Sequence, residues 1–264
     1  MLRQRVITAL VLAPLVLLVI FAVPDTLTMA VLALLVLAGA WEWSAFPGFT
    51  QHSARWGYVV VIAAALAAVW RFGPDRGELD TLIYAALVWW LFAAAWIAGA
   101  PGRVNCATAM IAGVLVLVPV WLALVRLHGH GPQLLLFLLL LVVAADIGAY
   151  FAGRRFGRRK LAPNVSPGKT WEGVFGGLIA AALMAGIGVW WFHVHALPFI
   201  ALCMVVVVAS IVGDLTESMF KRHAGLKDSG NILPGHGGVL DRVDSITAAA
   251  PVFLVGLERL GLLR

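Results

Sequence analysis

Charge is scarce in this chain. Of its 264 residues only 12% are Asp, Glu, Lys or Arg, against roughly 25% in an ordinary soluble domain. Cysteine is scarcer still: Cys106 and Cys203 are isolated, sit in or beside apolar stretches and form no C-x-x-C pair. That excludes a disulfide framework and a thiolate metal centre and leaves both as packing residues. Also missing are segments of about 10 residues that alternate apolar with polar positions, so a transmembrane β-barrel is excluded.

Hydrophobic residues, by contrast, make up 62% of the chain, and mean hydropathy is +0.97. A soluble globule, at roughly 45–50% apolar, has no interior large enough for this excess. Apolar runs of about 20 residues match what a helix needs to cross a bilayer core of roughly 30 Å. The expected class is therefore all-α, a polytopic integral membrane protein. Apolar continuity, broken by Pro, Gly and charge, predicts nine helices, at 6–23, 27–46, 57–72, 82–98, 107–127, 133–152, 173–192, 197–213 and 246–260. The eighth has room to continue past Asp214 as a helical extension. Arg3 and Arg5 before an apolar stretch resemble a signal peptide, but the stretch exceeds the usual 7–15 residues or so and reads as a retained first span.

The net charge of +6 would suggest a nucleic-acid partner in a soluble protein; here membrane orientation accounts for it, and no nucleic acid is expected. With the N-terminus in the cytoplasm, Arg3, Arg5, Arg55, Arg103, Arg154, Arg155, Arg158, Arg159, Lys160, Lys169, Lys221, Arg222, Lys227 and Arg242 fall inside. Only Arg71, Arg76, Arg126, Arg259 and Arg264 fall outside, which satisfies the positive-inside rule. Residues 1–132 then read as scaffold, and 133–264 as a catalytic region with cytoplasmic loops at 153–172 and 214–245. Glu42 is an acidic residue inside a span, a default functional candidate; between Trp41 and Trp43 near a helix end it reads instead as an interfacial anchor.

The 214–245 loop concentrates chemistry. On a helix, Asp214, Ser218 and Lys221 share one face at i, i+4, i+7, and Asp241 and Asp244 share another at i, i+3. Carboxylates projecting together suit a hard cation with oxygen ligands, and Mg²⁺ takes one or two of them while leaving positions for substrate phosphates. Lys221, Arg222, Lys227 and Arg242 supply positive charge for anionic oxygens. The Gly235-His236-Gly237-Gly238 run lets backbone N–H groups approach a phosphate ahead of a helix start. Each part alone is an ordinary juxtamembrane loop; together within 32 residues, in a chain of 13 acidic residues, they compose a phosphate-handling metal site.

Upstream, Gly168-Lys169-Thr170 looks like the end of a Walker A loop, G-x-x-x-x-G-K-[ST]. The first glycine position is Pro163, and the segment joins two spans, so it is no P-loop; Ser166, Lys169 and Thr170 remain candidates for nucleotide phosphate. Asp146, at a span end one turn from Tyr150, is a further site candidate. For the basic cluster Arg154 to Lys160, a part in the site and the plainer role of setting topology or holding lipid headgroups are about evenly matched. His128 with His130 and His193 with His195 form two H-x-H pairs on the outer side, where zinc is the less favoured reading. Gly173 and Gly177 form a G-x-x-x-G suited to close helix contact.

At this point the pattern resembles a known family. Ser218-x-x-Lys221-Arg222, Lys227-Asp228, His236-Gly237-Gly238 and Asp241-Arg242-x-Asp244 match the signature of the phosphatidate cytidylyltransferases, and Asp146 to Tyr150 and Ser166 to Gly173, with Glu172, look like its upstream motifs. The resemblance covers about residues 140 to 250. It implies CMP transfer from CTP to phosphatidic acid at the cytoplasmic face of the inner membrane, giving CDP-diacylglycerol and pyrophosphate for phospholipid synthesis. By the same resemblance Asp214, Asp241 and Asp244 are metal ligands, with Asp228 or Ser218 completing the shell of Mg²⁺ and a second cation beside it. Lys169, Lys221, Arg222 and Arg242 would neutralise phosphates, and His236 would orient them. A homodimer is compatible with this reading. The competing classes are a CTP-dependent lipid kinase, which would transfer the γ-phosphoryl group, and a transporter, for which the expected internal repeat is not visible.

Overall fold

The computed structural model describes residues 2–99, 101, 102, 104–232 and 237–263, with side chains from Leu10 onward. Among these the chain forms α1 (Leu2–Phe21), α2 (Asp25–Trp43), α3 (His52–Phe72), α4 (Asp80–Gly99), α5 (Cys106–His130), α6 (Pro132–Phe156), α7 (Trp171–Phe192), α8 (Ala196–His223) and α9 (Leu240–Arg259). One antiparallel hairpin, β1 (Lys160–Ala162) with β2 (Ser166–Thr170), interrupts the helices between α6 and α7. Seven helices, α2 to α8, are long and apolar enough to cross a membrane; the described apolar part of α1, Leu10–Phe21, is shorter, and α9 is not among the seven. The α8 helix runs unbroken past Asp214 to His223, as its sequence allowed.

The centre of the bundle is α5, with 67% of its apolar window buried against 28–39% for the other six. Asn105 caps it through a reciprocal pair of hydrogen bonds with Thr108. At the far end Arg126 is buried, donating to the carbonyls of Pro74 and Arg76 and pairing with Asp80 at 2.6 Å. His128 Nε2 donates to the Ile20 carbonyl, 2.9 Å away. Cys203 is buried, as a packing residue should be, but Cys106 is exposed at the start of α5, where its first turn leaves the bundle.

Small residues bring α6 and α7 together. A Cβ on Gly148 would stand 2.6 Å from the Gly176 carbonyl oxygen, and one on Gly177 3.0 Å from that of Ala145. This is the close contact expected of Gly173 and Gly177, extended by Gly148 and Gly176. On the opposite face of α7, Phe175, Ile179, Leu183 and Ile187 recur every fourth residue and are exposed, as a stripe facing hydrocarbon is. Gly213 does for α8 and α9 what Gly148 does for its pair: a Cβ there would lie 2.6 Å from the Asp244 carbonyl. The polar start of α9 is thereby pressed against the Asp214 turn of α8.

Candidate active site

Where α6, α7, α8 and the hairpin meet the start of α9, a cavity of about 380 Å³ opens, within the range of small-ligand sites. Its polar lining includes Asp146 and Tyr150 from α6, Lys169 and Thr170 from β2, Ser210 and Asp214 from α8, and Ser245 from α9. The remaining wall, with Ala145, Ala149, Val174, Val207 and Ile211, is apolar. Lys169 reaches across from the hairpin to Asp214, Nζ to Oδ2 at 2.6 Å. Ser218, one turn on, donates to Asp214 Oδ1 at 3.3 Å, as their spacing predicted.

Two other carboxylates, Asp146 and Asp244, are within the electrostatic range of Asp214. Asp244 lies in the polar opening of α9, before its apolar part. Burial, then the Asp214 charge, push its pKa up to about 7, against the pull of the Ser245 N–H, Lys221 and Lys169. Acidic groups this close repel one another unless a cation intervenes. Among the described residues no three His, Cys, Asp or Glu side chains form a closed metal cage. An all-oxygen set of one or two carboxylates beside an open cavity fits Mg²⁺, which leaves most of its shell to water and phosphate.

Asp241 is placed differently from its partner Asp244. Its Oδ1 accepts from Lys221 Nζ at 2.6 Å, and its Oδ2 accepts from the backbone N–H groups of Ser229 at 3.0 Å and Gly238 at 2.9 Å. The Gly238 bond reaches back three residues, to the turn that precedes α9. Burial by itself would raise the Asp241 pKa, but Lys221 and the two N–H groups outweigh it and hold the carboxyl below its ordinary value. Lys221 is itself buried, with Glu217 Oε1 at 3.0 Å on its other side. It turns away from the cavity, toward the α8–α9 seam. Gly238 spends its N–H on Asp241, and Gly237, at φ +84°, makes the left-handed turn that a side chain would strain.

Several motif residues do not line the cavity. Ser166 begins β2; Glu172 accepts from the Arg158 and Arg159 N–H groups and so fastens the hairpin. Thr170 lines the cavity and also caps α7 by accepting from the Gly173 N–H at 3.2 Å. Arg222 borders a second depression with Asn164 and His223, and Lys227 and Asp228 are exposed. Arg242 acts electrostatically on Asp146. His236 lies outside the described residues.

The structure also brings in residues that motif spacing did not single out. Glu217 has only 3% of its surface exposed, and neither of its oxygens meets a well-aligned donor among the described residues; its i, i+4 relation to Lys221 was the available signal. Glu42 corrects an expectation outright. It is no interfacial anchor: it is 1% exposed and accepts from Ser229 Oγ and from the N–H groups of Val239 and Leu240. Nothing local in the sequence pairs residue 42 with residues 229–240.

Comparison with known proteins shows the family. The sequence model of the cytidylyltransferase family matches residues 3–259. The chain is 44% identical over 262 residues to a phosphatidate cytidylyltransferase of Pseudomonas aeruginosa, covering 96% of each. It is 39% identical over 281 residues to one of Haemophilus influenzae, covering 96% of this chain and 97% of the relative. One of Brucella suis is 48% identical over 140 residues, about half (49%) of each chain.

Proposed function

The chain belongs to the cytidylyltransferase family, as an integral membrane enzyme that forms CDP-diacylglycerol and pyrophosphate from CTP and phosphatidic acid, and we propose that the cavity beside Asp214 is where it does so. The observation that carries this reading is the convergence of Asp146, Lys169 and Asp214 on one cavity with an apolar wall, with Asp244 buried within the electrostatic reach of Asp214. One substrate is a lipid and the other a soluble polyanion, and such a wall beside a polar floor suits the pair.

A phosphate oxygen of phosphatidic acid attacks the α-phosphorus of CTP, and pyrophosphate leaves. Phosphatidic acid is already ionised near neutral pH, so no strong general base is needed; orientation and charge neutralisation suffice. Lys169, held at the cavity by Asp214, offers its ammonium to the triphosphate. Arg242 and Arg154 flank the same region. Asp214 and Asp244 would hold Mg²⁺, and Asp146, which lines the same cavity as Asp214, would offer a carboxylate to a second cation. When bound, the metal supplies positive charge to the phosphate oxygens. Asp241, its oxygens taken up by Lys221, Ser229 and Gly238, joins the set by orienting the turn that carries Asp244.

The same proposal places the cavity on the cytoplasmic face of the inner membrane, with α1 and α9 also crossing, the N-terminus inside and a homodimer permitted. The distribution of basic residues supports it. Cysteines placed at Arg158 and Lys227 should react only with reagents admitted to the cytoplasm, and one at Asp75 from outside; opposite labelling of the first two would dismantle the shared site. For the reaction, purified protein with phosphatidic acid and Mg²⁺ should move α-label from CTP into lipid. Transfer of γ-label would make it a lipid kinase instead.

A further inference from the structure

The start of α9 has no cap of its own. Val239, the residue before it, has helical backbone angles and no side-chain hydrogen bond, and the N–H groups there need acceptors. They find them on α2. Glu42 Oε1 accepts from the Val239 N–H at 3.0 Å, and Oε2 accepts from the Leu240 N–H at 2.8 Å and from Ser229 Oγ at 3.1 Å. A carboxylate at a helix N-terminus is also favoured by the helix dipole. Two glycines make room for it: a Cβ on Gly230 would come within 2.7 Å of Glu42 Cδ, and one on Gly238 within 2.5 Å of Oε2.

Glu42 is a fixed strut. On one side the Trp43 indole donates to the Ala109 carbonyl at 2.8 Å and packs on Phe220, the neighbour of Lys221, at 5.2 Å between ring centroids. On the other, Arg55 covers the Trp41 ring at 4.1 Å and donates to the Trp41 carbonyl. Ser229 joins two acidic anchors, its hydroxyl to Glu42 and its N–H to Asp241. The same polypeptide is thus held from α2 and from α9 at once.

We infer that Glu42 is a positioning residue for the reaction: it fixes the start of α9 and so sets Asp241 and Asp244 in register with Asp214 on α8. The inference goes beyond the proposed site, because Glu42 lines no part of the cavity and belongs to the half of the chain with no motif. Glutamine in its place keeps the shape but not the chemistry. In either amide orientation, its NH₂ group confronts a backbone N–H, because all three partners are donors.

The test compares E42Q and G230A with wild type. G230A leaves every acidic residue intact and only crowds the Glu42 carboxylate. Both variants should lower kcat about tenfold or more, the scale of disturbed support behind a metal site, with KM for CTP and for phosphatidic acid within about threefold. A second readout needs no substrate: the Mg²⁺ concentration that half-saturates the rise in unfolding temperature should increase about tenfold in both. A purely structural residue would lower the unfolding temperature without moving that midpoint. E42Q with kcat within twofold of wild type, or with an unchanged Mg²⁺ midpoint, overturns the inference; should E42Q fail to fold, G230A decides by the same criteria. Wild-type protein separates the two readings. A silent wild type removes the proposed site as well, whereas an active wild type matched by the variants removes this inference alone.

Discussion

Asp244 and Asp241 stand three residues apart on one helix in opposite surroundings. Asp244 is buried within the electrostatic reach of Asp214, and burial and then that like charge push its carboxyl up to about 7. Asp241 faces the seam between α8 and α9, where an ammonium and two N–H groups occupy both oxygens and hold its pKa down. The lesson is that burial and a like charge dominate at Asp244, whereas an ammonium and two N–H donors dominate at Asp241. The signs of linkage differ accordingly. Asp241 contributes stability above its unfolded pKa of about 3.9, lost as pH falls; Asp244 costs stability as pH rises from about 4 toward 7.

The sharpest way to break this contrast is at Lys221. Lys221→Met leaves Glu217 and Asp241 buried without their cation, a change on the order of 3–5 kcal/mol, so chemical unfolding in detergent should show a loss of that size. A variant as stable as wild type would mean that the braced side is not braced. Next come Asp214→Asn and Asp244→Asn. Each should lower activity by about 10² or more, or some 2.7 kcal/mol. Unfolding temperature at pH 8 should hold or rise, because a repelling charge is gone. Activity within threefold of wild type for both would empty the cavity of its role. Asp241→Asn should show the reverse balance, destabilising by about 1–3 kcal/mol through unpaired donors; a rise in its unfolding temperature would erase the difference between the two positions. The smallest effect is expected at Glu172→Gln, which loosens only the hairpin. Its activity should stay within about threefold, since solvent screens a charge-assisted bond at the surface, and a hundredfold loss would place Glu172 on a substrate.

Much of the site was legible from spacing alone. Asp214 and Ser218 meet because they are one helical turn apart, and Asp146, Lys169 and Thr170 do line the cavity. Lys221 shows the limit of that reasoning. Its position at i+7 from Asp214 suggested a phosphate ligand, but helical phase left it able to turn toward Glu217, and packing against α9 decided that it would. The 160–170 hairpin also escaped notice, because a segment of eleven residues rich in Pro and Gly shows no period to read.

By itself the sequence determined the membrane class, most of the helices and several of the polar residues that line the cavity, because hydropathy and i, i+4 spacing are local properties that survive without knowledge of the fold. Only the tertiary structure decided which carboxylates are free and which are spent. Glu42 shows why: its three donors lie 187 to 198 residues away, and a carboxylate beside two tryptophans reads alike at a bilayer surface or under the start of a distant helix. What distinguishes the two is whether packing withdraws it from water, and that depends on α2, α5 and α8 meeting around it.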